Sequence, residues 1–372
     1  MKKLLSVLLT LAMLTTIFSM ASITATAATS DIFEYTVFSG EAIIIGCSRG
    51  GDIVIPSVIN GYPVTSIGDD VFATQGLISS GLKSIDIPDS VTSIGDNAFL
   101  GCKKLESIVI PDSVTHIGAY AFSDCTNLTS VKLSKRLESI EEGTFYNCKN
   151  LENITIPKGV ETIGELAFWY CEKITEINIP DGVTFIGVEA FRDCNSLEKI
   201  VIPDSVTTIG AGAFECCSDL MSVSLPDGIT DIYENTFYLC RCLTSIDIPA
   251  SLTSIDRDAF IGCKNLKAVY YGGTESEWNN VRIGGRNDEL LNAEIICLGT
   301  PQTQPLKDYE IGDINKDGSI NMKDVLLLRK YLAGTVESID LTVSDTNRDG
   351  VVNMKDVLLL RKYLVGLITK LG

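Results

Sequence analysis

Apolar residues recur with a period of 23 residues through the middle of the chain. In a representative unit, Val91 opens the repeat, Phe99 follows eight positions later, and Leu105, Ile108 and Ile110 complete the apolar set. The last three predict a short strand with inward side chains, because alternate residues of a strand share one face. A fixed period of this length predicts a solenoid in which each apolar position stacks on its copy in the next coil.

Two positions align eight consecutive units and show where the pattern ends. The opening residues are Val91, Val114, Leu137, Val160, Val183, Val206, Ile229 and Leu252, and the phenylalanines are Phe99, Phe122, Phe145, Phe168, Phe191, Phe214, Phe237 and Phe260. An earlier unit, residues 64–88, carries four extra residues around Thr74 to Ser80, which predict a protruding loop. Residues 33–56 and 271–298, the latter with Trp278, break the pattern, so we expect them to cap the two ends.

Near the C-terminus the apolar period changes to that of a helix. Val325, Leu328 and Leu332 fall on one helical face, and Gly334 ends the stretch. The segment 321–332 recurs unchanged as residues 353–364. The sequence therefore predicts two equal helices.

Each predicted helix follows a loop of twelve residues with oxygen-bearing side chains at positions one, three, five, nine and twelve and glycine at position six. This is the spacing of an EF-hand loop, in which six to eight oxygens bind Ca²⁺ at about 2.3–2.6 Å. Asp, Asn and Gly also form ordinary turns, but two complete copies favour two calcium ions. The expected ligands, with the main-chain oxygens of Ser319 and Val351, are Asp313, Asn315, Asp317, Asn321, Asp324, Asp345, Asn347, Asp349, Asn353 and Asp356.

Pro301 and Pro305 leave no room for a helix entering the first loop. Two tandem half EF-hands with aspartate at position twelve resemble the type I dockerin module over residues 310–372. The resemblance implies a small all-α fold and calcium-dependent binding to a cohesin module of a scaffold protein, in a cellulosome-like extracellular complex. The family's partner contacts fall here on Met322, Lys323, Arg329, Lys330, Met354, Lys355, Arg361 and Lys362.

The near identity of the two copies suggests that either helix could present the same face to the partner, in two orientations. The alternative is that the basic pairs form an ordinary solvated helix face.

The 23-residue unit, V-T-x-I-G-x-x-A-F-x-x-C-x-x-L-x-x-I-x-I-P, resembles the BspA-type leucine-rich repeat over residues 33–298. The resemblance implies a leucine-rich-repeat solenoid whose coils each contain a β-strand and a loop or short helix, in a surface or secreted protein. The expected domains are a signal peptide (1–27), an N-terminal cap (28–63), repeats (64–270), a C-terminal cap (271–298), a linker (299–309) and the dockerin (310–372).

The N-terminal segment has the pattern of a secretory signal. Lys2 and Lys3 precede an apolar run, and Ala25-Thr26-Ala27 matches a cleavage site. A membrane anchor is the alternative, but small and hydroxylated residues follow the run and no basic stop-transfer flank is present. We therefore expect secretion and no membrane span after cleavage.

The chain has twelve cysteines, eight of them in the same register. Secreted proteins commonly pair cysteines, yet pairing neighbouring coils would impose a two-unit period that the sequence lacks. Free thiols that fill an inward position are favoured, while a bridge between Cys216 and Cys242 is open. The eight are Cys102, Cys125, Cys148, Cys171, Cys194, Cys217, Cys240 and Cys263.

The chemistry of the remaining side chains argues against several functions. His116 is the single histidine, and it stands where other units carry Ser or Thr, so triad catalysis and a zinc site are disfavoured. We expect no catalytic residues, although a carboxylate pair could still serve a glycosidase. Residues 28–309 hold 39 acids and 19 Lys or Arg, which disfavours nucleic acid as a partner.

These inferences predict a secreted, non-catalytic adaptor. The dockerin binds a scaffold cohesin, and the repeats recognise an unknown protein or cell-surface ligand. The alternative is a cellulosome-borne inhibitor, or an enzyme with an unrecognised active site in the repeats. The outward strand positions, which show no aromatic stripe, are Glu106, Val109, Lys132, Thr155, Asn178, Val201, Ser224, Asp247 and Tyr270.

Overall fold

A computed structural model describes most of the chain. The described residues are 28–73, 81–299, 311–334, 336, 339, 341–348, 351–366 and 368–371. The expected signal peptide, the expected loop around residues 74–80 and nearly all of the expected linker lie outside them. No helix of the described residues is long and apolar enough to cross a membrane.

The solenoid contains two columns of parallel strands, and each coil contributes one short strand to each column. The first column consists of β3 Glu41–Cys47, β6 Tyr62–Ile67, β8 Ser93–Ile94, β10 His116–Ile117, β12 Ser139–Ile140, β14 Thr162–Ile163, β16 Phe185–Ile186, β18 Thr208–Ile209, β20 Asp231–Ile232, β22 Ser254–Ile255 and β24 Arg282–Ile283. The second consists of β4 Gly51–Val54, β7 Leu82–Asp86, β9 Ser107–Val109, β11 Ser130–Lys132, β13 Asn153–Ile154, β15 Glu176–Asn178, β17 Lys199–Val201, β19 Ser222–Ser224, β21 Ser245–Ile248, β23 Ala268–Tyr271 and β25 Glu294–Cys297. Pairing between neighbouring coils keeps the 23-residue register, as in Val131 opposite Ile108.

The strands confirm the predicted solenoid and its inward positions. Leu105, Ile108 and Ile110 are all buried around β9. Between the two columns the described repeat coils bend through turns, so they take the strand-and-loop form of the expected fold rather than the form with a short helix.

Phenylalanines form a continuous stack through the core. The rings of Phe72 and of the eight aligned phenylalanines lie 5.1 to 5.7 Å apart between centroids in neighbouring coils, with planes within 25° of parallel. All eight repeat phenylalanines are fully buried. Because each ring removes a large apolar area from water, this stack contributes strongly to the stability of the array.

The cysteine column runs beside the phenylalanine stack. Each of the eight Sγ atoms donates to the carbonyl of the phenylalanine of the preceding coil, at 3.0 to 3.4 Å. All eight are buried free thiols in the structure, and Cys216 and Cys242 are also free. The geometry supports the free-thiol alternative, because each sulfur already has a hydrogen-bond acceptor.

The first end of the solenoid is covered by antiparallel strands. β1 Ala28–Ser30 pairs with β2 Phe33–Phe38, which pairs with β3. The short β5 Val58–Ile59 pairs with β6. Phe33 and Tyr35 on β2 are buried in the core beside the first coils, so this segment covers the apolar side chains at this end.

The opposite end is closed by a buried amide side chain. In an interior coil, the N–H of Phe237 donates to the carbonyl of Ala259 in the next coil. In the last coil, the N–H of Phe260 donates instead to Oδ1 of Asn287, at 3.0 Å. The Nδ2 atom of Asn287 donates back to the carbonyl of Asp256, at 2.9 Å. The side chain thus replaces the main chain of the missing coil.

Other cap residues complete this closure. Glu289 accepts a hydrogen bond from the N–H of Gly262 at 2.8 Å, where earlier coils use a main-chain carbonyl. Trp278 lies at 8% exposure and packs against Tyr271. Two one-turn helices, α1 Glu275–Trp278 and α2 Asp288–Leu291, carry these side chains. These residues belong to the segment 271–298 that the sequence analysis expects to cap this end.

The C-terminal module is small and helical. It contains α3 Met322–Leu332, α4 Leu341–Ser344 and α5 Met354–Leu364. Its core includes Val325 and Leu328 from α3 and their copies Val357 and Leu360 from α5. Gly334 follows α3 with a φ of 72°, a left-handed conformation that suits the end of a helix.

We expect Asn287→Ala to lower the free energy of unfolding by about 2 kcal/mol, because the N–H of Phe260 would stay buried without an acceptor. Urea denaturation followed by circular dichroism measures the loss. The control is Asn279→Ala, which removes an exposed side chain from the same cap. Equal stability of the two variants would contradict the assigned role of Asn287.

We expect the eight column thiols to resist Ellman's reagent at pH 8 in the folded protein, and all twelve cysteines to react in guanidinium without reductant. Burial raises the pKa of thiols such as Cys171, Cys217 and Cys240, so the reactive thiolate is scarce. Fewer than twelve reactive thiols after denaturation would instead demonstrate disulfides.

Candidate metal centres and binding faces

The first predicted calcium loop is folded around the aspartate at its first position. Asp313 is buried, and its two oxygens accept hydrogen bonds from the N–H groups of Asp317 at 3.1 Å and Gly318 at 3.0 Å. The chain turns at Lys316 and Gly318, whose φ values of 61° and 89° are left-handed. Glycine at position six therefore serves the turn that the spacing predicted.

The aspartate at position twelve ties the loop to the helix that follows. Asp324 accepts from the N–H of Asn321 at 2.8 Å and from the N–H of Asn315 at 2.9 Å. Asn321 is the N-cap of α3, where its side chain accepts from the N–H of Lys323 and forms a capping box with Asp324. One carboxylate thus links loop positions three and nine to the first turn of α3.

The second loop repeats this arrangement where it is described. Asp356 accepts from the N–H groups of Asn347 at 3.2 Å and Asn353 at 2.9 Å, and Asn353 caps α5. The hydroxyl of Thr346 adds a bond to the same carboxylate. Asp349, the predicted ligand at position five, and its neighbour Gly350 lie outside the described residues. The short α4 precedes this loop directly, so the second unit has one turn of entering helix.

The other predicted oxygen donors stand on the same loops. Asn315 and Asp317 bond to each other at 3.1 Å in the first loop. The carbonyls of Ser319 and Val351 accept from the side-chain amides of Asn321 and Asn353. Asp345 opens the second loop directly after α4. Within the described residues, no three Asp, Glu, His or Cys side chains form a metal-binding cluster by themselves, so a calcium site here also needs the amide and main-chain oxygens of the loop.

The burial of these carboxylates suits a cation. Asp313 and Asp324 are 2% and 0% exposed, and neither pairs with a Lys or Arg among the described residues. Burial, together with the nearby charge of Asp313, raises the pKa of Asp324 to about 6. Burial and the charge of Asp317 likewise raise the pKa of Asp313. A calcium ion, which prefers carboxylate, amide and carbonyl oxygens, fits this donor set and would neutralise the buried charge.

The eight predicted partner-binding residues do not form one uniform surface. Met322 is half-buried against the core of the module, whereas its copy Met354 is 60% exposed. Lys323 pairs with Asp317 at 3.6 Å, while Lys355 and Lys362 are exposed. The other three lie against the solenoid and are Arg329, Lys330 and Arg361.

The outward strand residues of the solenoid form the face that the sequence predicted. Val109 and Val201 are 57% and 54% exposed there. Ser224, Asp247 and Tyr270, in the last coils of this column, are only partly exposed. The second strand column thus presents one open end and one covered end.

A second feature on the side of the solenoid was missed by reasoning from strand positions. Trp169 stacks on Tyr170 at 5.5 Å, and the Arg192 guanidinium lies 5.1 Å from the Trp169 ring centre. Arg192 also pairs with Glu189 at 2.9 Å and Glu215 at 3.1 Å. Trp169 and Arg192 lie at equivalent turn positions of neighbouring coils, where only the spacing of 23 residues would have indicated their contact. They cover one another and support the coils laterally.

The single histidine takes no part in any such cluster. His116 lies on β10 with an exposed side chain, at the repeat position that the sequence assigned to it.

Comparison with protein families assigns both parts of the chain. The family described as BspA type leucine rich repeat region matches residues 65–198 and 163–280, with six copies, and the dockerin type I domain matches residues 311–365. A search of the curated proteins found no match.

Solved structures of leucine-rich repeat proteins resemble the solenoid. A protein from Bacteroides ovatus ATCC 8483 is 28% identical with a TM-score of 0.53, and the match covers 73% of this chain and 71% of that one. A leucine rich cell surface protein from Faecalibacterium prausnitzii A2-165 is 27% identical with a TM-score of 0.42, and the match covers 70% of this chain and 99% of that one.

We expect calcium affinity to fall steeply as the pH drops below about 6, because protons then compete for Asp324. The raised pKa has the opposite effect on the metal-free fold. This group contributes most stability at acidic pH and loses it as the pH rises through about 6. Calorimetric calcium titrations at pH 7.5 and pH 5 measure the first effect, and thermal unfolding in EDTA measures the second. Equal calcium affinity at both pH values would contradict the assignment of Asp324.

Proposed function

Because this chain belongs to the BspA-type leucine-rich repeat family and carries a type I dockerin domain after its repeats, we propose that it is a secreted, non-catalytic adaptor. In this proposal, the dockerin binds two calcium ions and a cohesin module of a scaffold protein. The solenoid recognises a protein or a cell-surface ligand. The adaptor would place that recognition surface in a cellulosome-like complex outside the cell.

One observation carries the docking part of the proposal. In both copies, the aspartate at position twelve accepts hydrogen bonds from the loop and also caps the helix. An ion held by this aspartate would therefore stabilise the start of the helix that displays the partner residues. Calcium binding and presentation of the basic surface are coupled by the same side chains, Asp324 and Asp356.

Two features support the extracellular part of the proposal. The pattern around Lys2, Lys3 and Ala25 to Ala27 is that of a secretory signal. Dockerin modules act by docking on scaffold proteins, and this role implies the same compartment as the scaffold.

The solenoid supports a binding role through its surface. Its strand face exposes mixed residues such as Val109, Lys132 and Val201, which can contact a protein partner through both apolar area and charge. His116 has no carboxylate or thiol partner among the described contacts that would form a catalytic triad.

We expect the intact protein to bind at least one member of a panel of purified type I cohesin modules in calcium, and to lose that binding in EGTA. Replacing both capping aspartates, Asp324→Asn with Asp356→Asn, should weaken binding by at least about tenfold, because each site loses a charged ligand. The control, Asp89→Asn, removes an exposed acid from the solenoid. Calcium-independent binding would contradict the mechanism.

The same assay distinguishes one binding orientation from two. Replacing Lys323, Arg329 and Lys330 by alanine should leave substantial binding, whereas adding Lys355, Arg361 and Lys362 should abolish it. Complete loss from the first set would contradict dual orientation. A parallel turnover screen of the intact protein on polysaccharides and peptides tests the non-catalytic assignment, and robust hydrolysis would overturn it.

A further inference from the structure

The charge of the surface formed by the second strand column and the turns after it changes along the solenoid. In the later coils, the turn after the second strand carries Asp181, Asp204 and Asp227, and the neighbouring strand carries Asp247. In the two preceding coils, the corresponding positions carry Lys132, Lys135 and Lys158, whereas the first coils again carry acids, Asp89 and Asp112. We call the later part, defined by Asp181, Asp204, Asp227 and Asp247, the acidic face. Its charge complements a basic partner.

The helices of the dockerin lie on this acidic face. One guanidinium nitrogen of Arg329 bonds to Asp204 Oδ1 at 2.7 Å, and another bonds to Ser224 Oγ at 2.5 Å. Arg361 Nη2 lies 3.6 Å from Asp247 Oδ2. Lys330 Nζ donates to the carbonyl of Gly272 at 3.3 Å. The side chain of Arg329 is consequently only 19% exposed.

The contact between the two parts pairs neighbouring coils of the solenoid with the two copies of the dockerin helix. Ser224 and Asp247 are direct partners in neighbouring strands of the solenoid. Arg329 and Arg361 occupy the same position in the two copies of the duplicated helix. Both copies of the duplicated helix therefore face the solenoid at once, each through its own arginine.

We propose that the acidic face is a docking site for this chain's own dockerin, which binds it through Arg329 and Arg361 together. The segment 300–310 joins the two parts and contains eleven residues. A chain of this length spans at most roughly 36 to 40 Å, which reaches coils close to the C-terminal cap. The tether also gives the module an effective concentration in about the millimolar range, so a contact too weak between separate molecules is populated within one.

The contact is polar and incompletely packed. A cleft of about 400 Å³ separates the helices from the strands, with Val201 and Ile202 on one side and Leu332 and Met354 on the other. Protein interiors leave few voids of this size. The arginine pairs therefore provide much of the attraction between the two parts. Salt screens this attraction, so we expect the docked form to be reversible.

Desolvation adds to this reversibility. Burial raises the pKa of Asp247, although the nearby Arg361 opposes that effect. Burial likewise lowers the pKa of Arg361, against the opposing effect of Asp247. Both groups lose hydration when they meet, which offsets part of their attraction.

Docking has a consequence that rests on the proposed function. Arg329, Lys330 and Arg361 are three of the residues expected to bind cohesin, and they are covered in the docked form. Because both copies of the helix are engaged, both binding orientations are blocked together. A cohesin must then displace the solenoid before it binds.

Photo-cross-linking of the intact, calcium-loaded protein tests the docking directly. Val201 is replaced by p-benzoylphenylalanine, and mass spectrometry identifies the linked peptides. We expect links within one chain to residues 322–332 or 354–364. The charge reversal Arg329→Glu with Arg361→Glu should lower their yield at least fivefold. Adding Asp204→Lys with Asp247→Lys should restore the yield to within twofold, which excludes misfolding as the cause of the loss.

The matched control reverses charges away from the contact, by Lys362→Glu and Asp89→Lys, and should leave the yield unchanged. Absence of the helices from the linked peptides would overturn the proposal. So would a yield indifferent to reversal at Arg329 and Arg361, or a dimer-sized product that grows with protein concentration. No cohesin is present in this experiment. Its result therefore does not depend on whether the protein binds cohesin, so the two proposals can fail independently.

Discussion

The hydrogen bonding of each coil to the next, at the spacing of paired strands, is the constraint on which the rest of the structure depends. Equivalent residues meet across about 4.8 Å, so an inward side chain must pack against its own copy. Flat phenylalanine rings satisfy this requirement by stacking in parallel. Small thiols satisfy it by donating to the carbonyl of the coil before. Outward side chains do not have to pack against their copies, so their charge can vary from coil to coil.

This constraint explains how much of the fold the sequence predicts. A side chain that must pack on its copy leaves a visible period, so the solenoid, its core and the cysteine column follow from spacing alone. The dockerin module is equally predictable, because its characteristic residues recur within loops of twelve residues. The closure by Asn287 is different. It replaces a main-chain carbonyl that every other coil supplies, and so it leaves no repeated signal in the sequence.

The contacts that the sequence did not reveal join positions whose residue types do not repeat from coil to coil, or positions that lie far apart in the chain. Arg192 reaches Trp169 and Glu215 through turns whose residues differ from coil to coil. Arg329 and Asp204 are 125 residues apart, and nothing local to either indicates the other. The composition does show an acidic solenoid, but charge alone cannot place a basic helix on particular coils. Only the three-dimensional structure shows that the two copies of the helix contact two adjacent strands.

The cap of the last coil also bears on how such a protein changes in length. Asn287 and Glu289 bind the last repeat coil through Phe260, Gly262 and Asp256. Duplication or loss of a whole 23-residue unit further upstream leaves these three hydrogen bonds intact. The number of coils, and with it the length of the binding surface, can therefore change while the C-terminal cap keeps the same contacts.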